Sequence, residues 1–182
     1  MKKTTEHKST IELTILGILT RSPMSAYEIT GFIEAKKVNR MLKISFPAVF
    51  KVCKKLYQNG ILDGKSVQEG ENPEKIIYSI NDKGRQKFIS LMEHYSSNLD
   101  PFYFDFNAFI WNLESLEQEQ AMTMLNNLRN NILNLQKGVH IHEKEVTYAP
   151  FAVRMIVRQY CLTADALAEW INYTIEEFQK KR

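Results

Sequence analysis

Cysteine is scarce in this sequence, and long hydrophobic runs are missing. Only Cys53 and Cys161 occur among the 182 residues, which argues against a disulfide framework and leaves no cysteine pair at zinc-module spacing. No apolar run approaches the roughly 20 residues that cross a bilayer. The start, MKKTTEHKST, is basic but lacks the apolar core of a signal peptide behind it. We therefore expect a cytoplasmic protein with reduced thiols and no membrane contact.

Catalytic signatures are missing as well. No glycine-rich phosphate loop, Ser-His-Asp arrangement or pair of buried carboxylates can be recognised. His140 and His142 stand next to Glu143 and could ligate a metal, but residues two apart on a helix do not share a face. A solvated turn between helices is the better interpretation of this segment. We predict neither an enzyme nor a cofactor or metal site.

Glycine and charge are distributed unevenly along the chain. Six of the seven glycines precede residue 85, which predicts a segmented first half and a long-helical second half. Residues 1–96 contain 16 Lys/Arg and 10 Asp/Glu, a balance of +6, whereas residues 97–182 contain 8 and 11, a balance of −3. Such a split can arise by chance, but it also indicates a polyanionic partner for the first half. We place the domain boundary between residues 96 and 97.

The first half shows three helices, two strands and a further helix. Apolar spacing predicts a helix over residues 9–20, and Ser25 with Glu28 has the spacing of a capping box for a second helix. A third helix is predicted between Pro47, which suits a first turn, and Gly60, which suits a left-handed C-cap. Two strands around a turn-rich loop follow, and then a helix capped at residue 81 or 82; the strand segments are 61–67 and 76–80.

The third helix has two contrasting faces. Val49, Cys53 and Leu56 share a face that predicts core contact. Lysines on the other face can neutralise phosphates, and a following hairpin is typical of winged helix-turn-helix proteins, which place a helix in a DNA groove and a wing beside it. A solvated charged face is the alternative. The outer face consists of Phe46, Phe50, Lys51, Lys54, Lys55 and Gln58.

The order of the motifs ILGILTRSPMSAYEI, ISFPAVFKVCKKLYQNGIL and KIIYSINDKG resembles the PadR family of winged-helix transcriptional regulators. The segments SLEQEQAMTMLNNL and LAEWINYTIEEF resemble that family's C-terminal dimerisation region. The resemblance covers nearly the whole chain and is more specific in its first half. It implies a homodimer whose recognition helices enter successive major grooves of a palindromic operator in double-stranded DNA. Many members are repressors that a small, often aromatic, ligand releases.

The resemblance also implies DNA-contact positions, and this chain departs from several of them. The family typically opens its recognition helix with Ser-Pro-Gly-Ser-hydrophobic-Tyr. Ala48 and Phe50 stand at the second serine and the tyrosine, so two hydroxyls are missing. Each would contribute about 1 kcal/mol to DNA affinity through a hydrogen bond to phosphate. Ile76 replaces one member of a basic pair, and Lys51 adds a charge where proline is common. The implied DNA-contact residues are Tyr27, Lys43, Ser45, Phe46, Ala48, Phe50, Lys51, Lys54, Lys55 and Lys75.

Two charged segments act in opposite directions on DNA affinity. The wing tip repels phosphate, whereas a basic arm at the start of the chain attracts it. We therefore predict DNA binding that is weakened or shifted toward an unusual site. The alternative is a winged-helix dimer that has lost DNA binding and acts as a protein-interaction module. The wing residues are Glu69, Glu71 and Glu74, and the arm residues are Lys2, Lys3 and Lys8.

The second half carries a heptad signal. Over residues 121–139 and 153–178, apolar side chains recur at alternating steps of four and three, which defines one apolar seam on each of two long helices. The last helix has further apolar residues off its seam, more than one partner helix covers. We predict a dimerisation module; a monomeric helical bundle is the alternative. The predicted dimer contacts are Leu125, Leu128, Ile132, Val157, Tyr160, Leu167, Ile171 and Phe178.

Aromatic residues cluster where the two halves of the sequence meet. Crevices lined by aromatic side chains suit planar ligands, although a domain-packing core is the alternative interpretation. The predicted fold class is mainly α: a winged helix-turn-helix domain with a two-stranded β wing, followed by a long-helix dimerisation region. The residues predicted to contact an effector are Phe102, Tyr103, Phe106, Trp111 and Trp170.

Overall fold

The computed structural model describes residues 9–42, 44–68, 74–99 and 101–180. The chain divides into two compact units, an N-terminal unit that ends at Pro101 and a C-terminal unit that begins at Phe102. The N-terminal unit combines helices with a small antiparallel sheet, and the C-terminal unit is helical where it is described. This architecture confirms the predicted fold class.

The helices of the N-terminal unit begin and end at the signals that the sequence carries. Ser25 Oγ accepts from the Glu28 amide at 3.2 Å, and Glu28 Oε2 accepts from the Ser25 amide at 2.7 Å, which confirms the predicted capping box. Asn81 Oδ1 accepts from the Gly84 amide and so caps the helix after the sheet. The helices are α1 (Thr10–Leu19), α2 (Ala26–Ala35), α3 (Val38–Met41), α4 (Phe46–Gln58) and α5 (Asp82–Ser97).

The sheet has one strand more than the sequence predicted. Strands β1 (Met24–Ser25), β2 (Leu62–Val67) and β3 (Lys75–Ile80) are antiparallel, in the order β1-β3-β2. The two-stranded wing is therefore joined on its other edge by a two-residue strand that directly precedes α2. A segment this short has no alternation to detect, which is why the sequence did not predict it.

At two glycines next to the wing, any other residue would cause steric strain. Gly60, just after α4, has a φ of +67°, the left-handed conformation that glycine adopts without steric cost. A Cβ at Gly84 would overlap the carbonyl oxygen of Ile61. These glycines let α4 turn directly into β2 and let α5 pack against that turn.

The core of the N-terminal unit is apolar and includes the inner face of α4. Val49, Cys53 and Leu56 are buried, as their spacing predicted. Burial of each large side chain contributes about 1.5–3 kcal/mol. The other fully buried side chains of this unit are Ile15, Leu16, Ile29, Ile33 and Leu62.

The C-terminal unit is dominated by a helical hairpin. Hydrogen bonds join the two long helices at Arg129–Asn172, Gln136–Asp165 and Glu143–Arg158. Because the residue number rises along one helix as it falls along the other, the two helices run antiparallel. None of the helices among the described residues is both long and apolar enough to cross a bilayer. The helices are α6 (Asn107–Trp111), α7 (Gln118–Glu145) and α8 (Phe151–Lys180), with a 3₁₀ turn at Leu113–Ser115.

Much of the heptad seam is buried within one chain. Buried side chains have little surface left for a second copy, so a dimer would rely on the other predicted contacts. Leu128, Leu167 and Phe178 are half-buried, and Tyr160 is 42% exposed. The role of the whole set in dimerisation stays a prediction. The predicted dimer contacts that are buried in the single chain are Leu125, Ile132, Val157 and Ile171.

The segment around His140 differs from its prediction. It does not form a turn between helices, because α7 continues through Glu145. The two histidines do point to different partners: His140 lies 2.7 Å from Asp165 on α8, and His142 lies 3.2 Å from Glu145 on its own helix. The expectation of separate faces was right, and the expectation of a turn was wrong.

Candidate nucleic-acid interface

The start of α4 offers unused polar groups at a helix N-terminus. Ser45 is the N-cap residue, and among the described residues its hydroxyl makes no capping hydrogen bond. Ser45 is exposed, and Pro47 occupies the first turn, where its missing N–H costs nothing. The first amides of a helix lack intrahelical acceptors and carry a partial positive charge, so they favour anions. This end of α4 therefore suits contact with a phosphate.

The three predicted lysines of α4 do not share one environment. Lys51 and Lys54 are exposed, and neither has an ion-pair partner in the described part of the chain. Lys55 is different, because its Nζ lies 3.1 Å from Oε1 of Glu12 on α1. The structure thus leaves two lysines of α4 without a counter-charge and ties the third to the neighbouring helix.

Glu12 is a charged residue that the sequence did not single out. Its side chain is only 6% exposed and is held between two ammonium groups, Lys55 at 3.1 Å and Lys87 at 3.3 Å. A buried carboxylate needs such partners, since removing it from water costs several kcal/mol. Glu12 therefore orients Lys55 and joins α1, α4 and α5. No local signal could have found it, because its partners lie far away in the sequence.

Large aromatic side chains are exposed beside these lysines. Tyr27 on α2 is 78% exposed and Phe50 on α4 is 46% exposed, whereas Phe46 and Ala48 are half-buried. Aromatic residues that are left outside a well-packed core are candidates for contact with a partner. Phe50 provides an apolar ring without a hydroxyl on the exposed side of α4.

The wing carries a mixed charge. Lys75 at the start of β3 lies 3.9 Å from Glu28, whose pKa is lowered, first by the hydrogen bond from the Ser25 amide and to a lesser extent by Lys75. Glu74 accepts a hydrogen bond from the Ser66 hydroxyl. Part of the positive charge of the wing is thus paired with a carboxylate of α2. Several predicted contacts lie outside the described residues: Lys2, Lys3, Lys8, Lys43, Glu69 and Glu71.

Within the C-terminal unit, the predicted effector residues are only partly brought together. Phe106 stacks on Trp170 at 5.3 Å and on Phe104 at 5.0 Å between ring centroids. Phe104 belongs to the aromatic cluster that the sequence shows at this point, although it is not among the residues predicted to contact an effector. Tyr103 and Trp111 are more than 80% exposed, so they stand apart from this stack.

An open groove of about 700 Å³ lies beside the aromatic stack. Its wall is mainly apolar, and Arg158 is the one permanently charged side chain among the described residues that line it. A surface of this kind suits a planar, largely apolar molecule with a single acidic group. The wall combines Phe102, Phe104 and Trp170 with Met155, Leu162 and Leu167 of α8.

A helix with an exposed basic face, followed by a β-hairpin, defines the N-terminal unit as a winged helix-turn-helix domain. Residues 15–90 match the family described as Transcriptional regulator PadR-like family. The match covers most of the N-terminal unit and agrees with the resemblance to the PadR family inferred from the motifs. Members of this family are regulators rather than enzymes, as predicted.

Solved structures extend the shared fold over nearly the whole chain. Bacillus subtilis PadR in complex with operator DNA is 15% identical, with a TM-score of 0.72 over 92% of this chain and 97% of that one. The same protein in complex with p-coumaric acid is 14% identical, with a TM-score of 0.74 over 94% and 99%. The Vibrio cholerae virulence activator AphA is 21% identical, with a TM-score of 0.67 over 95% and 100%. The comparison with curated proteins gives no match.

Proposed function

We propose that this chain is a homodimeric regulator that binds a palindromic operator in double-stranded DNA and represses the adjoining promoter. The observation that carries the proposal is the outer face of α4, where Lys51 and Lys54 lack counter-charges among the described residues. These lysines stand one helical turn apart on the side opposite the buried Cys53. Such a face suits the phosphates that flank a major groove.

The groove of the C-terminal unit supports regulation by a small molecule. We propose that an aromatic acid binds there and releases the protein from DNA. Trp170 and Phe104 supply flat apolar surface, and Arg158 supplies a cation that pairs with a carboxylate. The complex of Bacillus subtilis PadR with p-coumaric acid supports this chemistry by analogy.

Exposed apolar residues on α8 support the homodimer. Phe151 is 71% exposed and Tyr173 is 61% exposed, and neither lines the aromatic groove. A long helix with this much uncovered apolar surface is stabilised by a partner. A second copy of the chain is the partner that the family's dimers suggest.

The proposal is tested by titrating the protein with its own upstream DNA and with a scrambled duplex at several salt concentrations. We expect preference for the upstream DNA and a steep decrease of affinity with salt, since each neutralised phosphate releases counterions. The double variant Lys51→Ala/Lys54→Ala removes two lysines from each subunit and should reduce the salt slope of the dimer by about 4. The matched control Lys137→Ala/Lys144→Ala removes two exposed lysines of α7 and should leave the slope unchanged.

Equal, weak binding to both duplexes would contradict the proposal, and so would a monomer mass by light scattering. The direction of regulation is tested with a reporter under the upstream promoter. Deletion of the gene should raise reporter output, and a fall would assign activation instead.

One observation favours a second function. Phe50 is 46% exposed and Ile76 is 37% exposed, at positions where the family resemblance implies a hydroxyl and a basic group. An apolar surface of this kind suits a protein partner, so a protein-interaction module is the alternative proposal. It predicts DNA affinity that is the same for both duplexes and unchanged by Lys51→Ala/Lys54→Ala.

A further inference from the structure

Three metal-ligating side chains converge between α7 and α8, away from the surfaces used above for DNA. His140 and Glu143 stand one turn apart on α7, and Cys161 faces them from α8. One ligand atom from each residue lies within 4.8 Å of the other two. Cys161 is fully buried, whereas the other two are half-buried, so an ion can reach the cluster from the solvent side.

Asp165 fixes the direction of the His140 ring. Oδ1 of Asp165 accepts from Nε2 of His140 at 2.7 Å and from Nε2 of Gln136 at 2.8 Å. The other ring nitrogen, Nδ1, is 3.6 Å from Oε2 of Glu143 and faces the cluster. A carboxylate that holds the outer nitrogen of a histidine in this way is a recurring support of metal sites, because it sets the tautomer and the ring orientation.

We propose that His140 Nδ1, Cys161 Sγ and a Glu143 carboxylate oxygen bind a divalent transition-metal cation of the Zn²⁺ class, with Asp165 as the supporting residue. Nitrogen, sulfur and oxygen donors together match the preferences of Zn²⁺ and Co²⁺. A thiolate and a carboxylate balance the two charges of the cation. With three protein ligands, a water molecule takes the fourth tetrahedral position.

The separation of the ligand atoms is close to what such a site needs. Bonds of about 2.0–2.3 Å place tetrahedral ligand atoms roughly 3.5 Å apart. The ligand atoms lie within 4.8 Å of one another, so the ligands need to close by no more than about 1 Å. Side-chain rotation of His140 and Glu143, which are not packed on all sides, supplies this movement.

Binding exchanges protons for the cation. Burial, and then Glu143, raises the pKa of the Cys161 thiol, so the metal-free thiol is protonated at neutral pH. The cation displaces this proton and any proton on Nδ1 of His140, and both pass to the solvent. Nη1 of Arg158 lies 3.2 Å from the other carboxylate oxygen of Glu143, Oε1, so a cation bound at Oε2 competes with Arg158 for the charge of this carboxylate.

The proposed site departs from the sequence prediction that the chain holds no metal. That prediction considered His140 together with His142, which lie on different sides of α7. His142 pairs with Glu145 and stays outside the cluster. The sulfur ligand comes from the next helix, so no spacing rule within one segment could have found it.

The test is a titration of the full-length, reduced, metal-free protein with Co²⁺ alone near neutral pH. We expect the thiolate-to-cobalt charge-transfer absorption of a Cys-ligated ion, which Zn²⁺ then removes by competition. The thermal midpoint should rise with added Zn²⁺, because a ligand that binds only the folded state stabilises it. Failure of DNA binding would leave this outcome unaffected, since the assay contains no DNA.

A matched pair of histidine variants locates the ion. His140→Asn and His142→Asn alter the same helix at side chains that are 38% and 41% exposed, and each has a carboxylate partner. We expect His140→Asn to lower cobalt affinity at least tenfold and His142→Asn to change it less than about twofold. Asp165→Asn should lower affinity about tenfold and retain the charge-transfer band.

Cys161→Ser should abolish the charge-transfer band. If circular dichroism shows that this variant does not fold, the histidine pair decides the question. Absence of the band in the reduced wild-type protein at millimolar Co²⁺ would overturn the proposal. So would an equal loss of affinity in both histidine variants, or a band that persists in folded Cys161→Ser.

Discussion

The two units of this chain use their polar side chains in opposite ways. In the N-terminal unit, Lys51 and Lys54 project from α4 without a counter-charge among the residues that the structure places. In the C-terminal unit, polar groups reach across the hairpin, as where Arg129 Nε donates to Oδ1 of Asn172 at 2.8 Å. The outer face of α4 thus carries unpaired charge, although Glu12 joins α1, α4 and α5 in the same unit, whereas the polar groups named in the C-terminal unit pair across its hairpin. The number of charged residues in each half does not reveal this difference. It becomes visible only when the partners of the charged side chains are known.

The two cysteines show the same contrast at one residue type. Cys53 and Cys161 are both 0% exposed, and burial raises the pKa of both thiols. Cys53 lies in the apolar core behind α4, whereas Cys161 lies beside His140 and Glu143. Equal burial therefore gives an inert thiol in one unit and a candidate ligand in the other.

Truncating the seam of the C-terminal unit should produce the largest effect. Ile171→Ala removes a fully buried side chain and should lower the free energy of unfolding by about 2–5 kcal/mol, measured by urea denaturation. Leu135→Ala alters a seam position that is 53% exposed and should cost under about 1 kcal/mol. Similar losses in the two variants would mean that a second chain covers Leu135.

Removing the buried charge of the N-terminal unit should have the next largest effect. Glu12→Gln leaves Lys55 and Lys87 without their carboxylate and should lower the free energy of unfolding by about 1–3 kcal/mol. The control Glu34→Gln alters an exposed glutamate of α2 and should stay within about 0.5 kcal/mol. Stability that is unchanged in Glu12→Gln would show that the ion pairs are not formed in solution.

The Cys53 thiol should make stability depend on alkaline pH. Burial raises its pKa from 9.0 to about 12, so between these values the unfolded chain loses the thiol proton and the folded chain retains it. The unfolded state then binds fewer protons, and stability falls as pH rises, by up to about 1.4 kcal/mol per pH unit. Denaturation of wild type and Cys53→Ala at several pH values measures the effect. The variant should show a shallower slope above pH 9 and the same slope near pH 7.

The smallest expected effect is a gain of DNA affinity. Phe50→Tyr restores the hydroxyl that the family resemblance implies at this exposed position and should tighten operator binding by about 1 kcal/mol, or roughly fivefold. Fluorescence anisotropy with labelled DNA measures the change, and Phe50→Leu, which adds no hydroxyl, serves as the control. Equal affinities for Phe50→Tyr and wild type would mean that residue 50 does not face a phosphate.

The sequence predicted those parts of the fold that depend on local signals. The capping box at Ser25, the proline start and glycine stop of α4, and the cap at Asn81 all operate within a few residues. The two-residue strand β1 and the four-residue helix α3 were missed, because such short segments carry no periodicity.

The sites were predicted less completely than the fold. Lysines on the outer face of α4 follow from helical spacing, but the tie between Lys55 and Glu12 depends on how three helices pack. The same holds for Cys161, which lies near His140 across the hairpin. Contacts between residues that are distant in the sequence cannot be recognised from the local spacing of residues in one sequence.

Arg158 belongs to two surfaces at once. Its side chain lines the aromatic groove, and its Nη1 donates to Glu143 at 3.2 Å. A cation bound to Glu143 draws on the charge of the carboxylate that Arg158 contacts, so the guanidinium at the groove is less neutralised. We therefore expect the two occupants to be thermodynamically linked: each should change the affinity of the other by the same factor. Through this shared arginine, the helical hairpin would respond to both a metal ion and an aromatic acid.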